Sequence, residues 1–406
     1  MLKALRNFSI YSSISVITGS ISFLLLPILT SYLSTEDYGL LSIFNASVRF
    51  FSVCIGLGMG HLMLVDLIRD KDCFSSKLKS FFALTLTLTT LLAIGVIIVL
   101  SFSGSFFGLP VLLTITLPVI ALLVVYFEFF TSVMVYLNQA AKFAVYSLGK
   151  FGVETLLTIV LVVGLGMNWT GRVLSLSLAL IIIALFLVKY VFKNFSLKSK
   201  ILEPFKQIKE LARGGGALAF MSMSFMVINL SDRFLIEKMI GIEATGIYGV
   251  AATVAGVMFM FIGALMKVIR PKLYEVFRLE GNSKGRVRIA IGYHTFLALF
   301  GIGLFIVLPY IFEYFIDSKF NSSLTLSRIL IVGLFFWGSY SFFISKLLYY
   351  KKNQHNAIIA VISMVINLVL NYFMIKEYGI QGAAFATVIT YVCMFVSSII
   401  YSISKR

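Results

Sequence analysis

Asp232 and Arg233 stand side by side inside an otherwise apolar run, in the stretch from Asn229 to Ala252. At the centre of a membrane-spanning helix a charge of this kind costs about 2.5–3.5 kcal/mol on insertion scales, so it normally faces a bundle interior or a wet cavity. The pair reads either as an acid and a base that offset one another, with the Arg snorkelling to an interface, or as a substrate-facing site. A second constellation is Ser42, Asn45, Arg49 and Ser52, whose spacings of three, four and three put all four on one helical face. With a helix starting near Gly39, Arg49 lies about 15 Å into the span. An Arg at that depth needs a buried acid if it is structural, or an anion if it binds a ligand. Ser222, Asn229 and Arg233 share a face through spacings of seven and four. Lys150 and Glu154 are four apart and can pair along one helix turn; alternatively Lys150 turns toward a cavity. Glu128 has no local partner. It reads as a protonatable coupling group, as a carboxyl held neutral between helices, or as a partner of Lys150. Asn367 and Asn371 have the spacing of interhelical polar contacts.

The elements that carry these residues follow from composition. The chain has 60% apolar and 13% charged residues and a mean hydropathy of +1.00, about half the charge of an ordinary soluble domain. Apolar runs of about 20 residues, long enough to cross a hydrocarbon core of about 30 Å, recur along the whole length. The spacing predicts twelve spans, near 8–33, 40–65, 81–103, 109–137, 143–166, 172–192, 214–237, 246–267, 289–312, 325–349, 357–375 and 379–402. The first is too long for a signal-peptide core and is read as a retained span. The expected fold is therefore an all-α polytopic membrane protein.

The net charge of +17 is a topology signal, not a nucleic-acid footprint. With the N-terminus placed inside, 25 of the 34 Lys and Arg fall in inner segments, four (Arg172, Lys238, Lys319 and Lys376) in outer ones, and five within spans. The positive-inside rule then puts both termini in the cytoplasm. Two basic inner segments, Pro204 to Arg213 and Pro271 to Arg278, place apolar residues at helical spacing with lysines opposite, as surface helices on the inner leaflet do. The first leads into Gly214, Gly215 and Gly216, either a hinge or a loose span end. The expected division is an N-terminal six-helix lobe at 1–192, a cytoplasmic amphipathic linker at 193–213 and a C-terminal six-helix lobe at 214–406. An internal duplication supports it, since Glu36 to Gly39 matches Glu243 to Gly246 in similar surroundings after spans 1 and 7. Six crossings per half make this a parallel repeat, the arrangement of several alternating-access transporters.

Catalytic signals are poor. There is no phosphate-binding Gly-rich Lys motif of the ATPase type. Cys54, Cys73 and Cys393 are scattered and none of the three histidines lies near a cysteine, so neither disulfides, a metal site nor a cofactor is expected. Asp70 and Asp72 in an inner loop are read as a solvated turn.

Three segments carry a family resemblance: Tyr32-Leu-Ser-Thr-Glu-Asp-Tyr-Gly-Leu40; Asp232-Arg-Phe-Leu-Ile236 followed by Gly246-Ile-Tyr-Gly249; and Asn367-Leu-Val-Leu-Asn-Tyr372 followed by Tyr378-Gly-Ile-Gln-Gly-Ala383. In order and spacing they resemble the Wzx O-antigen and polysaccharide flippases of the multidrug, oligosaccharidyl-lipid and polysaccharide exporter superfamily. The resemblance implies a MATE-like fold of two pseudo-symmetric six-helix lobes in a bacterial inner membrane. It also implies transport, by ion-coupled alternating access, of an undecaprenyl-diphosphate-linked oligosaccharide of O-antigen or lipopolysaccharide biosynthesis to the periplasmic face. Arg forks match phosphate geometry better than Lys does. Arg49 and Arg233 are thus expected to bind the diphosphate with help from Lys150, while Asn45, Ser52, Asn229 and Asp232 line the cavity. Glu128, Glu154 and Asp232 are the candidate sites for a coupling H+ or Na+. Membrane lipids and other polysaccharide-assembly proteins are the expected neighbours, with no nucleic acid and no enzymatic activity. The competing readings are a cation-coupled multidrug exporter of the same superfamily, which should keep an acid-rich cavity, and an O-antigen polymerase, which should carry large outer loops.

Overall fold

A computed structural model describes residues 11–404 except 12, 15–16, 20–22, 70, 196–203, 279–282 and 351. The start of the first expected span, Asp70 and the middle of the 193–213 linker lie outside the described residues, and the side chains of Asp72 and Cys73 are likewise not described. The described chain is built of helices: α1 (Leu26–Tyr32), α2 (Thr35–Gly56), α3 (Met59–Arg69), α4 (Lys71–Ser103), α5 (Val111–Tyr136), α6 (Ala140–Thr158, prolonged by a π-helical turn Ile159–Gly164), α7 (Asn168–Asn194), α8 (Pro204–Met239), α9 (Ile242–Arg278), α10 (Ser283–Phe315), α11 (Ser323–Tyr349) and α12 (Asn353–Ser404). Among the described residues, nine helices are long and apolar enough to cross a membrane. The protein is a multi-pass membrane protein. All-helical spans are what a bilayer permits, since each backbone N–H and C=O must find its partner within the segment.

Several boundaries differ from the sequence reading, each for a local reason. The span expected at 40–65 is broken at Leu57 and Gly58, which have φ of 42° and 65°, so α2 and α3 are separate helices. The two last spans, both within α12, are two helices that meet at a kink at Gly379 (φ 59°, ψ −142°), a conformation that essentially only glycine adopts. The bend folds the chain so tightly that a Cβ on Gly382 would stand 1.9 Å from the Met374 carbonyl oxygen. The Pro204–Arg213 segment is not a detached surface helix. It runs without interruption through Gly214, Gly215 and Gly216 into the following span, so these glycines lie within a helix. Three glycines cost helix propensity, about 1 kcal/mol each relative to Ala, but an intact ladder spares the backbone a far larger desolvation cost in hydrocarbon. The Pro271–Arg278 segment likewise continues α9, whose 37 residues reach about 55 Å, well beyond a hydrocarbon core.

The chain separates into two compact units, one of Met1–Thr18 with Leu40–Met226, the other of Gly19–Gly39 with Val227–Arg406. In the first, α6 and α7 form an antiparallel pair bridged from Arg172 to Glu154 and Thr158. In the second, α11 packs on α9 through small residues, with the Ser323 and Ser327 hydroxyls donating to the carbonyls of Ile247 and Ala251. Close backbone approach through Ser and Gly is the usual way helices associate where hydrophobic burial gives no preference.

The duplicated turn explains itself in the second unit. A Cβ on Gly39 would stand 2.0 Å from the Ile242 carbonyl oxygen, and one on Gly246 would stand 1.9 Å from that of Thr35. Under the repeat register, Thr35 corresponds to Ile242 and Gly39 to Gly246. The two contacts are therefore equivalent: the beginnings of α2 and α9 pack reciprocally, as a two-fold contact requires. Glycine at both positions is a steric requirement.

Candidate functional site

In the first unit, α2 and α5 bring together residues 79 positions apart. Arg49 Nη1 donates to Glu128 Oε1 at 2.5 Å, and both side chains are more than half exposed, at 56% and 55%. Asn45, one turn before Arg49, is exposed as well. The other two members of the expected stripe behave differently: Ser42 and Ser52 are buried, and the Ser52 hydroxyl donates to the Arg49 carbonyl at 2.8 Å. The polar stripe is thus split, with Asn45 and Arg49 open and the two serines absorbed by packing.

Beside this open pair lies a closed one. Glu154 on α6 is bonded on one side by Lys150, one turn earlier, and on the other by Arg172 Nη2 of α7 at 2.5 Å. Arg172 also donates to the Thr158 hydroxyl at 2.9 Å. The Lys150, Glu154 and Arg172 side chains are 9%, 4% and 13% exposed, and the ammonium of Lys150 lies 4.3 Å from the Phe151 ring centroid. The trio carries a net single positive charge. Arg49 is near enough for its charge to oppose that of Lys150. Arg172 was counted as an outer-loop cation from sequence. Its position at the start of a helix, after a short turn from the helix that carries Glu154, was the signal that could have found it.

In the second unit, Asp232 on α8 is buried and fully engaged. Its Oδ1 accepts from the Arg233 backbone N–H at 2.8 Å and from Arg233 Nη1 at 3.0 Å, and its Oδ2 accepts from the Tyr248 hydroxyl of α9 at 2.5 Å. Arg233 additionally donates to the Asn229 carbonyl at 2.8 Å and lies 5.8 Å from the Tyr248 ring centroid. The Tyr391 hydroxyl donates to Asn229 Oδ1 at 2.8 Å. Next to them Asn367 accepts from Ser231 and Asn371 and donates to Thr390, an interhelical network of the kind its spacing suggested. The adjacent acid and base therefore offset one another, and Arg233 is 14% exposed.

The three expected acids are consequently all committed to cations. Glu128 has one partner and stands open, whereas Glu154 and Asp232 are buried and held by two residues each. Among the described residues no group of three His, Cys, Asp or Glu is placed to hold a metal ion.

A family model described as a polysaccharide biosynthesis protein matches residues 4–277, about two thirds of the chain. The chain belongs to this polysaccharide biosynthesis family. A curated relative, an uncharacterized membrane protein of Methanocaldococcus jannaschii, is 26% identical over 259 residues, which covers 61% of this chain and 60% of the relative's own length. Solved structures with the same fold include an inward-facing multidrug resistance MATE transporter of the MOP superfamily, with a TM-score of 0.70 at 14% identity over 95% of this chain and 93% of that one. A eukaryotic MATE transporter matches with 0.67 at 11% identity over 100% and 96%. A MOP superfamily transporter from Pyrococcus furiosus, described as having a binding pocket of reversed polarity, matches with 0.60 at 16% identity over 98% and 94%. The fold of this family member is thus the MATE-like fold that these solved structures share.

Proposed function

We propose that the protein is a flippase that carries an undecaprenyl-diphosphate-linked oligosaccharide repeat unit across a bacterial inner membrane by alternating access. The observation that carries this reading is the electrostatic state of the site. Glu128, Glu154 and Asp232 each contact an Arg or Lys, so none of these three acids is free to receive a cationic drug, while Asn45 and Arg49 remain exposed. A diphosphate, with more than one negative charge and the fork-matching oxygens Arg prefers, competes with the single carboxylate of Glu128 for Arg49.

The same pair supplies a coupling device. Glu128 is the acid that competes with the diphosphate for Arg49. Glu154 and Asp232 are poorer candidates for the coupling H+ or Na+, because removing either charge strands buried cations. Lys150, in the same unit as Arg49, then acts as electrostatic support for the diphosphate. Membership of the polysaccharide biosynthesis family supports the glycan part of this reading.

The test is charge reversal at Arg49, whose exposed position makes it tolerant of substitution. Arg49→Glu reconstituted at wild-type protein levels is expected to lose flipping of a fluorescent polyprenyl-diphosphate oligosaccharide; flipping at the wild-type rate would sink the assignment.

A further inference from the structure

Arg49, Lys150, Arg172 and Arg233 each have an acid partner, whereas Lys267 and Arg270 have none among the described residues. On α9 of the second unit, Lys267, Arg270 and Tyr274 follow one another at spacings of three and four, in line with Phe259, Gly263 and Met266, and form one wall of a cavity of about 520 Å³. Trp337 and Ser341, one turn apart on α11, form the opposite wall. Among the described residues no carboxylate lies within 4.0 Å of Lys267 or Arg270, and the Arg270 Nε is buried without a hydrogen-bond partner. Two cations without a carboxylate beside them make the cavity wall electropositive, which suits an anion. Its roof is aromatic: Trp337 stacks on Phe259 with centroids 6.0 Å apart and meets Tyr340 and Tyr391 at 5.5 and 5.3 Å. Tyr293 donates to the Gly338 carbonyl at 2.8 Å and fixes α11 beside Trp337. Under the repeat register the counterparts of Lys267 and Arg270 are Gly60 and Met63, so the first unit has no equivalent.

We infer that this cavity is the loading site of the transporter, in which Lys267 and Arg270 bind a diphosphate while the first sugar ring lies against the indole face of Trp337. The inference rests on the proposed lipid-linked substrate. It adds a site at the basic end of α9, where Lys267, Arg270, Lys272 and Arg278 cluster, on the side from which the positive-inside rule brings the substrate. An indole face suits the C–H surface of a sugar, and a Lys and Arg pair suits the diphosphate beside it.

The protein contains only two tryptophans, so Trp169→Phe leaves Trp337 as a reporter inside the cavity. In this background, an undecaprenyl-diphosphate-linked disaccharide is expected to change Trp337 emission saturably. Lys267→Gln and Arg270→Gln should each weaken the apparent Kd about tenfold or more, as loss of a charge-assisted bond implies, with Arg270→Lys recovering part of the affinity. Gly263→Leu should abolish the response by filling the cavity, since a Cβ at Gly263 meets nothing within 4 Å. A silent Trp337, or unchanged Kd in the Gln variants, overturns the inference, and an equal response to UDP-N-acetylglucosamine overturns its lipid-linked part. Flipping measured on the same samples separates the two claims. Wild type that binds but does not flip refutes the transport reading alone, whereas wild-type flipping in Lys267→Gln, Arg270→Gln and Gly263→Leu refutes the loading site alone.

Discussion

Removing Glu154 should damage the protein far more than removing either of the cations it holds. The trio Lys150, Glu154 and Arg172 is buried, with side-chain exposures of 9%, 4% and 13%, so solvent screening offers little relief. Glu154→Gln leaves two cations facing each other across an amide; Arg172 cannot shed its proton, and breaking a buried pair in this way costs about 3–5 kcal/mol. Lys150→Met, by contrast, leaves the neutral Glu154–Arg172 pair with its Thr158 bond intact and removes the excess charge. By the scaling of about 2–4 °C per kcal/mol for a unit of 150–250 residues, Glu154→Gln should lower the apparent Tm by about 6–20 °C. Lys150→Met should shift it by less than about 4 °C, the equivalent of about 1 kcal/mol. The assay is the fraction of monodisperse protein surviving heating in a fixed detergent at a fixed heating rate, because unfolding of such a protein is an operational and rate-dependent quantity. The double variant should recover part of the loss. Equal shifts in the two single variants, or a larger one for Lys150→Met, would refute the view that Glu154 is the hub.

Other expectations follow from the same geometry. Gly39→Ala and Gly246→Ala each bring a Cβ to about 2 Å from a carbonyl oxygen, and both should yield little folded protein, whereas Gly263→Ala, with open space around it, should be recovered at wild-type levels by size-exclusion chromatography. Asp232→Asn strips Arg233 and Tyr248 of their anionic acceptor and should destabilise the protein by about 3–5 kcal/mol, read as a drop in Tm; an unchanged Tm would contradict the buried pairing. Glu128→Gln frees Arg49 permanently, so substrate should bind at least as tightly while flipping loses its dependence on an imposed pH gradient. A Glu128→Gln protein that still responds to the gradient as wild type does would remove Glu128 from the coupling role.

The helical architecture was legible because hydrocarbon imposes about 20 apolar residues per crossing, a signal local to each segment. Breaks within those runs were harder to see: Leu57 and Gly58 interrupt an apolar stretch that looks continuous, and the glycines at 214–216 stay helical although isolated propensity argues against it. The site divided along the same line between local and distant. Lys150 with Glu154 and Asp232 with Arg233 are neighbours on one helix, so their pairing could be read from spacing alone. Arg49 and Glu128 are 79 residues apart, and the Tyr248 bond to Asp232 crosses from one helix to the next; neither leaves a periodic trace. Arg172, Lys267 and Arg270 were assigned to topology because hydropathy cannot distinguish a cation in a loop from one on the terminal turns of a span. The duplicated Glu36–Gly39 and Glu243–Gly246 turns revealed a repeat, but only the backbone contacts show why both end in glycine.

The most direct measurement of the central claim is made in proteoliposomes of matched protein content, comparing the flipping of a fluorescent undecaprenyl-diphosphate-linked oligosaccharide with the export of a small cationic dye. The account predicts that the lipid is flipped by wild type, that flipping is lost in Arg49→Ala, and that the dye is not moved. Wild type that expels the dye and leaves the lipid in place would contradict it, and would make the protein a cation exporter on the same fold.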